Sequence, residues 1–297
     1  MRAVVSGLVS ISVVTDSTAY LPEGFADRHQ IHLVPLHVSV DGRGRLDGVD
    51  FGPAELAAAL GEHRRVTTSR PTPGELAEVY RARLAAGADA VVSVHLSREL
   101  SGTWEAARLA AEEVDPARVR VVDSRATGMG LGFAVLAATA AAAAGHDAAE
   151  VEAAAADAAK RMRMFFCVET LDHLRRGGRI GAAAALVGTA LAVKPLLHVD
   201  DGRIVPLEKV RTMSRAIARL VDLAVHAAGY GPVGLAVHHL AAPERAAELA
   251  SMLDDRISGT SGCLVSEVGA VIGAHTGPGV LGVVVLPGGY QPSGVDG

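Results

Sequence analysis

Aromatic side chains are scarce, with five Phe, four Tyr and one Trp in 297 residues. Any internal cavity is therefore expected to be walled by aliphatic side chains. Only two cysteines occur, Cys167 and Cys263, far apart in the chain. That excludes a disulfide framework and a cysteine-based zinc site, and both read as small buried hydrophobes of a reducing compartment. Three of the 28 basic residues are lysines, Lys160, Lys194 and Lys209. With the abundant alanine, this bias reads as genomic base composition. The formal net charge is -5, so no excess of cations is available to displace counterions from a nucleic acid.

No Gly-rich stretch ends in Gly-Lys-Ser/Thr, and no G-x-S-x-G is present, so neither a phosphate loop nor a hydrolase elbow has a local signature. Met1 to Ser10 lacks a signal-length apolar region, and no targeting segment is expected. The uncharged run from Ala126 to Gly145 has membrane-spanning length. It is mostly Ala, Gly and Thr, however, which favours a buried helix over membrane insertion. Within it, Gly128, Gly130 and Gly132 approach a dinucleotide fingerprint but lack its third glycine. Asp147 falls in a break between helices, so the glycines read as close helix packing. His29 and His32, and the pair His238-His239, lack a neighbouring carboxylate cluster of metal-binding spacing.

What is present is a large apolar fraction, 49%, against 21% charged, enough for a sizeable core. The length suggests two domains, with a boundary expected near Arg163: an N-terminal α/β domain over 11–162, a C-terminal α/β domain over 163–290, and a flexible Gly/Pro/Ser-rich tail over 291–297. Strands are expected at Ile11–Thr15, Ile31–Val40, Ala88–Leu96 and Arg118–Val122, alternating with helices. That alternation predicts a largely parallel sheet in the first half. Val66–Gly74 reads as a proline-stiffened loop. In the second half, Asp200-Asp201-Gly202 between two apolar runs predicts a hairpin, and Gly273–Gly279 reads as a turn.

Polar groups gather where strands end. Thr67, Thr68 and Ser69 occupy the stiff loop. Ser97, Ser101, Gly102 and Thr103 lead into a helix, whose start favours negative charge. Arg179 leaves a Gly-Gly turn, and His275 opens His-Thr-Gly-Pro-Gly. These hydroxyls either cap the following helices or form an anion site without a nucleophile; the residues alone leave both open.

Taken in order, V-T-D-S-T-A at Val14–Ala19, V-P-L-H-V at Val34–Val38, D-G-V at Asp47–Val49 and T-S-R-P at Thr68–Pro71 form a recognisable series. It continues with L-S-G-T at Leu100–Thr103, V-V-D-S at Val121–Ser124 and L-D-H-L-R-R-G-G-R-I at Leu171–Ile180. K-P-L-L at Lys194–Leu197, K-V-R-T at Lys209–Thr212 and H-T-G-P-G at His275–Gly279 complete it. The series resembles the DegV family, the bacterial fatty-acid-binding proteins, over about residues 11 to 286.

The resemblance implies a two-domain α/β fold, with a largely parallel sheet in the N-terminal domain and a mixed C-terminal domain. One long-chain fatty acid such as palmitate would lie between them. It implies a cytoplasmic, non-catalytic protein without cofactor or metal, which presents the bound carboxylate to a separate ATP-dependent fatty acid kinase subunit. The product would be an acyl phosphate feeding phospholipid synthesis. By the same resemblance Thr68 and Ser101 hydrogen-bond the carboxylate, with Ser97 and Ser69 as second choices. Arg179 and His275 stand beside the headgroup, and Arg211 meets the kinase partner. Arg70 departs from the family pattern, where a small polar residue such as Gln is usual, as do Arg98 and Glu99. The small-residue stretch from Gly181 to Leu197 is the expected tunnel wall. Two other classes remain as alternatives: a regulatory binding protein for another amphipathic anion, and a stand-alone acyl-transfer enzyme using Ser101 or His275.

Overall fold

A computed structural model describes residues 9–186 and 193–290. The first half alternates strands β1 (Ile11–Asp16), β2 (His32–Val34), β3 (His37–Val40), β4 (Arg43–Leu46), β5 (Val66–Ser69), β6 (Ala90–His95) and β7 (Val119–Asp123) with six helices. These are the short α1 (Phe25–Arg28), then α2 (Pro53–Gly61), α3 (Pro73–Ala85), α4 (Thr103–Val114), α5 (Met129–Ala143) and α6 (Ala148–Arg161). Four strands form a parallel sheet in the order β2-β1-β6-β7. Every residue of β6 is buried, as expected of a strand covered by helices on both faces.

The expected single strand Ile31–Val40 is two strands in two sheets. Pro35 has no N–H to continue a ladder. Beyond it the chain leaves the parallel sheet, and β3 becomes the centre of a separate antiparallel sheet, β4-β3-β5. The expected loop at Val66–Gly74 is likewise corrected, since Val66–Ser69 is an edge strand paired with β3. Two prolines follow it, and Thr72 caps α3 in a capping box with Glu75.

The second half supplies β8 (Arg163–Cys167), α7 (Asp172–Arg176), β9 (Lys194–Asp200), β10 (Arg203–Val210), α8 (Met213–Ala228), β11 (Val233–His239), α9 (Pro243–Arg256), β12 (Cys263–Glu267), α10 (Ala270–Thr276) and β13 (Leu281–Pro287). Its mixed six-stranded sheet runs β10-β9-β8-β13-β11-β12, and only β11 and β12 pair in parallel. The hairpin is present: Asp201 and Gly202 both take positive φ, 46° and 80°, as a two-residue primed turn requires. The expected turn at Gly273–Gly279 begins instead as the last part of α10, and His275 sits in that helix's final turn.

Helix α5 joins the two sheets. It is apolar all round and touches β1 and β6 on one side, β11 and β13 on the other. One continuous core therefore runs from Val13 and Leu36 through Phe133 to Leu197 and Val284. At fifteen residues α5 is too short to span a bilayer, and no helix among the described residues is long and apolar enough to do so. Its glycines serve contact, as expected. A Cβ on Gly130 would strike the sulfurs of Met162 and Met164, and one on Gly132 would lie 2.7 Å from the Met129 sulfur.

A Ser-His-Asp row lies inside the parallel sheet. His95 Nδ1–H donates to Asp16 Oδ2 at 3.0 Å, and Ser93 Oγ lies 2.8 Å from His95 Nε2. The distances match those of a hydrolytic triad, but all three residues are 0% exposed, and Ser93 Oγ already accepts from Tyr80 at 2.9 Å. With no path for a substrate, the row is a buried network. Asp16 also accepts from the Leu96 and Thr18 backbone N–H groups, which ties the carboxyl ends of β1 and β6 together.

Candidate functional site

A cavity of about 390 Å³ opens between the parallel sheet's strand ends and the mixed sheet, within the size range of small-molecule pockets. Three of the expected groups meet at one end. β5 alternates half-buried and exposed positions, so Val66 and Thr68 share the face turned toward α10. Thr68 Oγ1 there lies 2.8 Å from His275 Nε2. Arg179 lies alongside, its Nε donating to the Leu100 carbonyl at 3.0 Å and its Nη1 to the Gly177 carbonyl at 2.7 Å. Two carbonyls thus hold the guanidinium in one orientation at the cavity wall.

His275 is held from both sides. The N–H groups of Ala270 and Val271, which open α10, reach the buried carboxylate of Asp47, the first at 2.8 Å. Asp47 also accepts from Ser17 Oγ at 2.7 Å and from Tyr20 O–H at 3.1 Å. Tyr20 in turn accepts from the Ile272 N–H. Burial raises the Asp47 carboxyl above its ordinary range against the pull of these donors. At the other end of the helix, burial and then the Arg179 charge push His275 down to about 4. It is therefore neutral at physiological pH.

The His275 tautomer follows from its second nitrogen. Nδ1 is buried without a hydrogen-bond partner and faces Gly177, where a Cβ would overlap it. A buried N–H left unpaired costs more than an idle lone pair in this apolar contact. The proton accordingly resides on Nε2 and is donated to Thr68 Oγ1. The Thr68 hydroxyl proton is thereby free to point into the cavity.

Ser101 and Ser69 also line the cavity. Ser101 Oγ accepts from the Thr103 N–H at 3.3 Å and lies 2.9 Å from Thr103 Oγ1, which fixes it at the start of α4. Ser97 does not line the cavity. Its buried hydroxyl donates to the Gly202 carbonyl at 2.8 Å, pinning the β9–β10 turn. That bond removes Ser97 from the expected headgroup set. Arg211 is exposed just before α8.

Apart from Thr127, His238 and Thr276, the remaining wall is apolar. Leu36, Leu96, Val268, Val271, Ile272 and Val280 surround its middle, and Met164 and Phe166 share one face of β8. The expectation of a purely aliphatic lining is thus corrected by Phe165 and Phe166. The expected tunnel wall is corrected in part as well: within Gly181–Leu197, residues 181–186 and 193–197 do not line the cavity, and residues 187–192 lie outside those described, as do 291–297. His238, weighed from the sequence only as a metal ligand, is a lining residue. Its Nε2 accepts from the Met129 N–H at 2.6 Å, while Nδ1 lies 3.0 Å from Ser266 Oγ. Burial pushes it down to about 4. The signal available in advance was Gly128 alone, where a Cβ would lie 2.7 Å from this ring at a φ of 56°. Among the described residues no Asp or Glu lines the cavity, whereas Arg70 and Arg179 both do.

The chain is similar to known proteins along most of its length. A family model described as "Uncharacterised protein, DegV family" matches residues 10–288. A DegV domain-containing protein of Streptomyces coelicolor is 56% identical over 275 residues, which cover 93% of this chain and 98% of that one. Among solved structures, a DegV family protein from Thermus thermophilus described for its fatty acid binding superimposes with a TM-score of 0.89 at 35% identity, covering 94% of this chain and 99% of the other. The Bacillus subtilis DegV, a fatty acid binding protein, gives 0.85 at 35% identity, covering 95% and 100%. The chain belongs to the DegV family.

Proposed function

We propose that this protein binds one long-chain fatty acid in the cavity between its two sheets, with the carboxylate at Thr68, Ser101 and Arg179 and the acyl chain against the apolar wall. The observation that carries this reading is the segregation within one cavity: hydroxyls and guanidinium groups at one end, apolar side chains around the middle, and no acid in the lining. Fatty acid binding by the Thermus thermophilus and Bacillus subtilis relatives supports it. A buried carboxylate is tolerated only when hydrogen-bonded or neutralised. The free Thr68 proton, the Ser101 hydroxyl and the fixed Arg179 charge do both. Each buried methylene contributes roughly 0.8 kcal/mol, so about 14 of them give on the order of 11 kcal/mol before ordering costs.

The same reading makes the protein a non-catalytic, cytoplasmic carrier, the lipid-holding subunit of a fatty acid kinase. A separate ATP-using subunit phosphorylates the carboxylate to an acyl phosphate, with Arg211 on the docking face. The absence of a phosphate loop agrees with this division of labour. A hydrolytic or acyl-transfer role has little support: Ser101 is bonded to Thr103 and not to a histidine, His275 donates its Nε2 proton to Thr68 and so offers that hydroxyl no base, and the Ser93–His95 pair is fully buried. Two domains meeting near Arg163 would place the ligand at their junction, where such sites commonly lie.

Mass spectrometry of an organic extract of the purified protein tests the lipid assignment. One equivalent of a long-chain fatty acid is the expected result. An empty extract, together with no uptake of added fatty acid, would overturn it.

A further inference from the structure

The hydroxyl side chains of the cavity wall have partners or water, with one exception. Thr68 is bonded to His275 at 2.8 Å, Ser101 lies 2.9 Å from Thr103 Oγ1, Thr276 donates to the Ile272 carbonyl at 3.0 Å, and Ser69 is exposed. Thr127 lines the same cavity, yet its Oγ1 is buried with no hydrogen-bond partner among the described residues. Buried hydroxyls are nearly always paired, because an unpaired one forfeits its water without a return. The neighbouring His238 cannot serve it. Its Nε2 accepts from the Met129 N–H at 2.6 Å, and its Nδ1 lies 3.0 Å from Ser266 Oγ. Gly128, next to Thr127, packs against that ring, and Gly282 stands in register between His238 and Phe166. The wall beside Thr127 is thus made of rings and glycines.

A saturated acyl chain leaves this hydroxyl unpaired, since its only oxygens are in the carboxylate. An oxygen carried on the chain itself would pair with it. Threonine exchanges Oγ1 for its methyl by one turn about χ1, so the hydroxyl can be presented to the cavity with little change of shape. We propose that Thr127 is a specificity-determining residue for the acyl chain, and that the cavity selects a fatty acid bearing a hydroxyl partway along its length. The chain hydroxyl and Thr127 Oγ1 would each donate or accept, in a wall that offers neither another partner. The inference rests on the lipid-cavity reading and names a substrate class within it.

The test is displacement of a fluorescent fatty acid by octadecanoate and by a series of monohydroxy octadecanoates, the hydroxyl stepped along the chain. Every chain hydroxyl gives up water on entering an apolar cavity, so differences among the isomers report pairing. In the wild type one isomer, or two adjacent ones, should bind about tenfold more tightly than the rest, the worth of one satisfied buried hydroxyl. Thr127→Val keeps the shape and removes the hydroxyl. It is expected to weaken the favoured isomer by about tenfold and to tighten octadecanoate by about threefold, because no hydroxyl is then buried against the saturated chain. Thr127→Ser keeps the hydroxyl and should retain the preference. A wild-type series with no favoured position overturns the inference whatever the variants do. A favoured isomer that Thr127→Val leaves favoured also overturns it, and so does an equal loss of octadecanoate and that isomer, which would give the hydroxyl to the carboxylate. Wild-type protein that binds neither octadecanoate nor any hydroxy isomer overturns the lipid-cavity reading with it.

Discussion

Thr68 Oγ1 and His275 Nε2 lie 2.8 Å apart although 207 positions separate them in the chain. The bond runs from a sheet edge of the first half to a helix of the second, and it sets which proton the cavity receives. Thr68→Val keeps the shape and removes the hydroxyl. It is expected to weaken fatty acid binding by about 1–3 kcal/mol, measured by displacement of a fluorescent fatty acid. Binding unchanged by this substitution would place the carboxylate elsewhere.

Ser101→Ala should separate retention from reaction. The apolar wall remains, so lipid loss should stay within about 1–3 kcal/mol. Phosphorylation by a matched kinase subunit should fall further than binding, because the carboxylate is no longer held in one place. Single-turnover acyl phosphate formation beside a binding titration checks this. Equal losses in the two would count against a positioning role.

His275 and His238 predict the acid side of the stability profile. Both are held at about 4 in the folded protein by burial, against an unfolded value near 6.5. Between those limits the unfolded chain binds more protons, so stability rises with pH. It is fully present above about 6.5 and is lost as pH falls toward 4, by roughly 3 kcal/mol for each histidine. Urea unfolding across that window should show the slope, and His238→Gln should remove about half of it.

Asp47 is expected to control the cavity from outside it. Its carboxylate satisfies Ser17, Tyr20 and the first N–H groups of α10. Asp47→Ala leaves those donors buried without an acceptor, a loss of about 3–5 kcal/mol in unfolding free energy. Asp47→Asn keeps one acceptor oxygen and should lose less. In both variants fatty acid affinity should fall, because α10 carries His275. Stability lost with affinity intact would show that the helix finds its position without this anchor.

Gly202→Ala probes the contact between the β9–β10 turn and Ser97. The added methyl faces a φ of 80° and collides with Ser97 Oγ. The expected cost is about 1–3 kcal/mol, readable as a lowered Tm. An unchanged Tm would mean that the turn moves freely away from Ser97.

Much of the fold could be read in advance, and the failures share one cause. The first half's alternation was visible because β1, β6 and β7 are β-branched runs with helices packed on their sheet. Asp201-Gly202 was visible because a primed turn needs residues that accept positive φ. β5 was hidden because an edge strand of Val-Thr-Thr-Ser has no apolar alternation, and its partner lies beyond the break at Pro35. α10 was hidden because Ala-Val-Ile-Gly-Ala-His-Thr sits between glycines, and the carboxylate that anchors it is 223 residues away. Thr68, Ser101, Arg179 and His275 were singled out through motif resemblance and all line the cavity, whereas Ser97 carries the same chemistry and spends it on Gly202. That Phe166 and His238 line the cavity was not legible, since which strand faces line a cavity depends on how two sheets meet.

Helix α5 has one further consequence. Two sheets on one chain would ordinarily be expected to melt in two steps. Each sheet keeps helices of its own on its outer face, α3 and α4 on the parallel sheet and α8 and α9 on the mixed one, but the same fifteen residues of α5 are wedged between their inner faces, and unfolding of either side exposes the other. The calorimetric signature should be one endotherm whose van't Hoff and calorimetric enthalpies agree. Warmth, acid and ligand loss should then all be felt as the same event, the failure of a single shared keel.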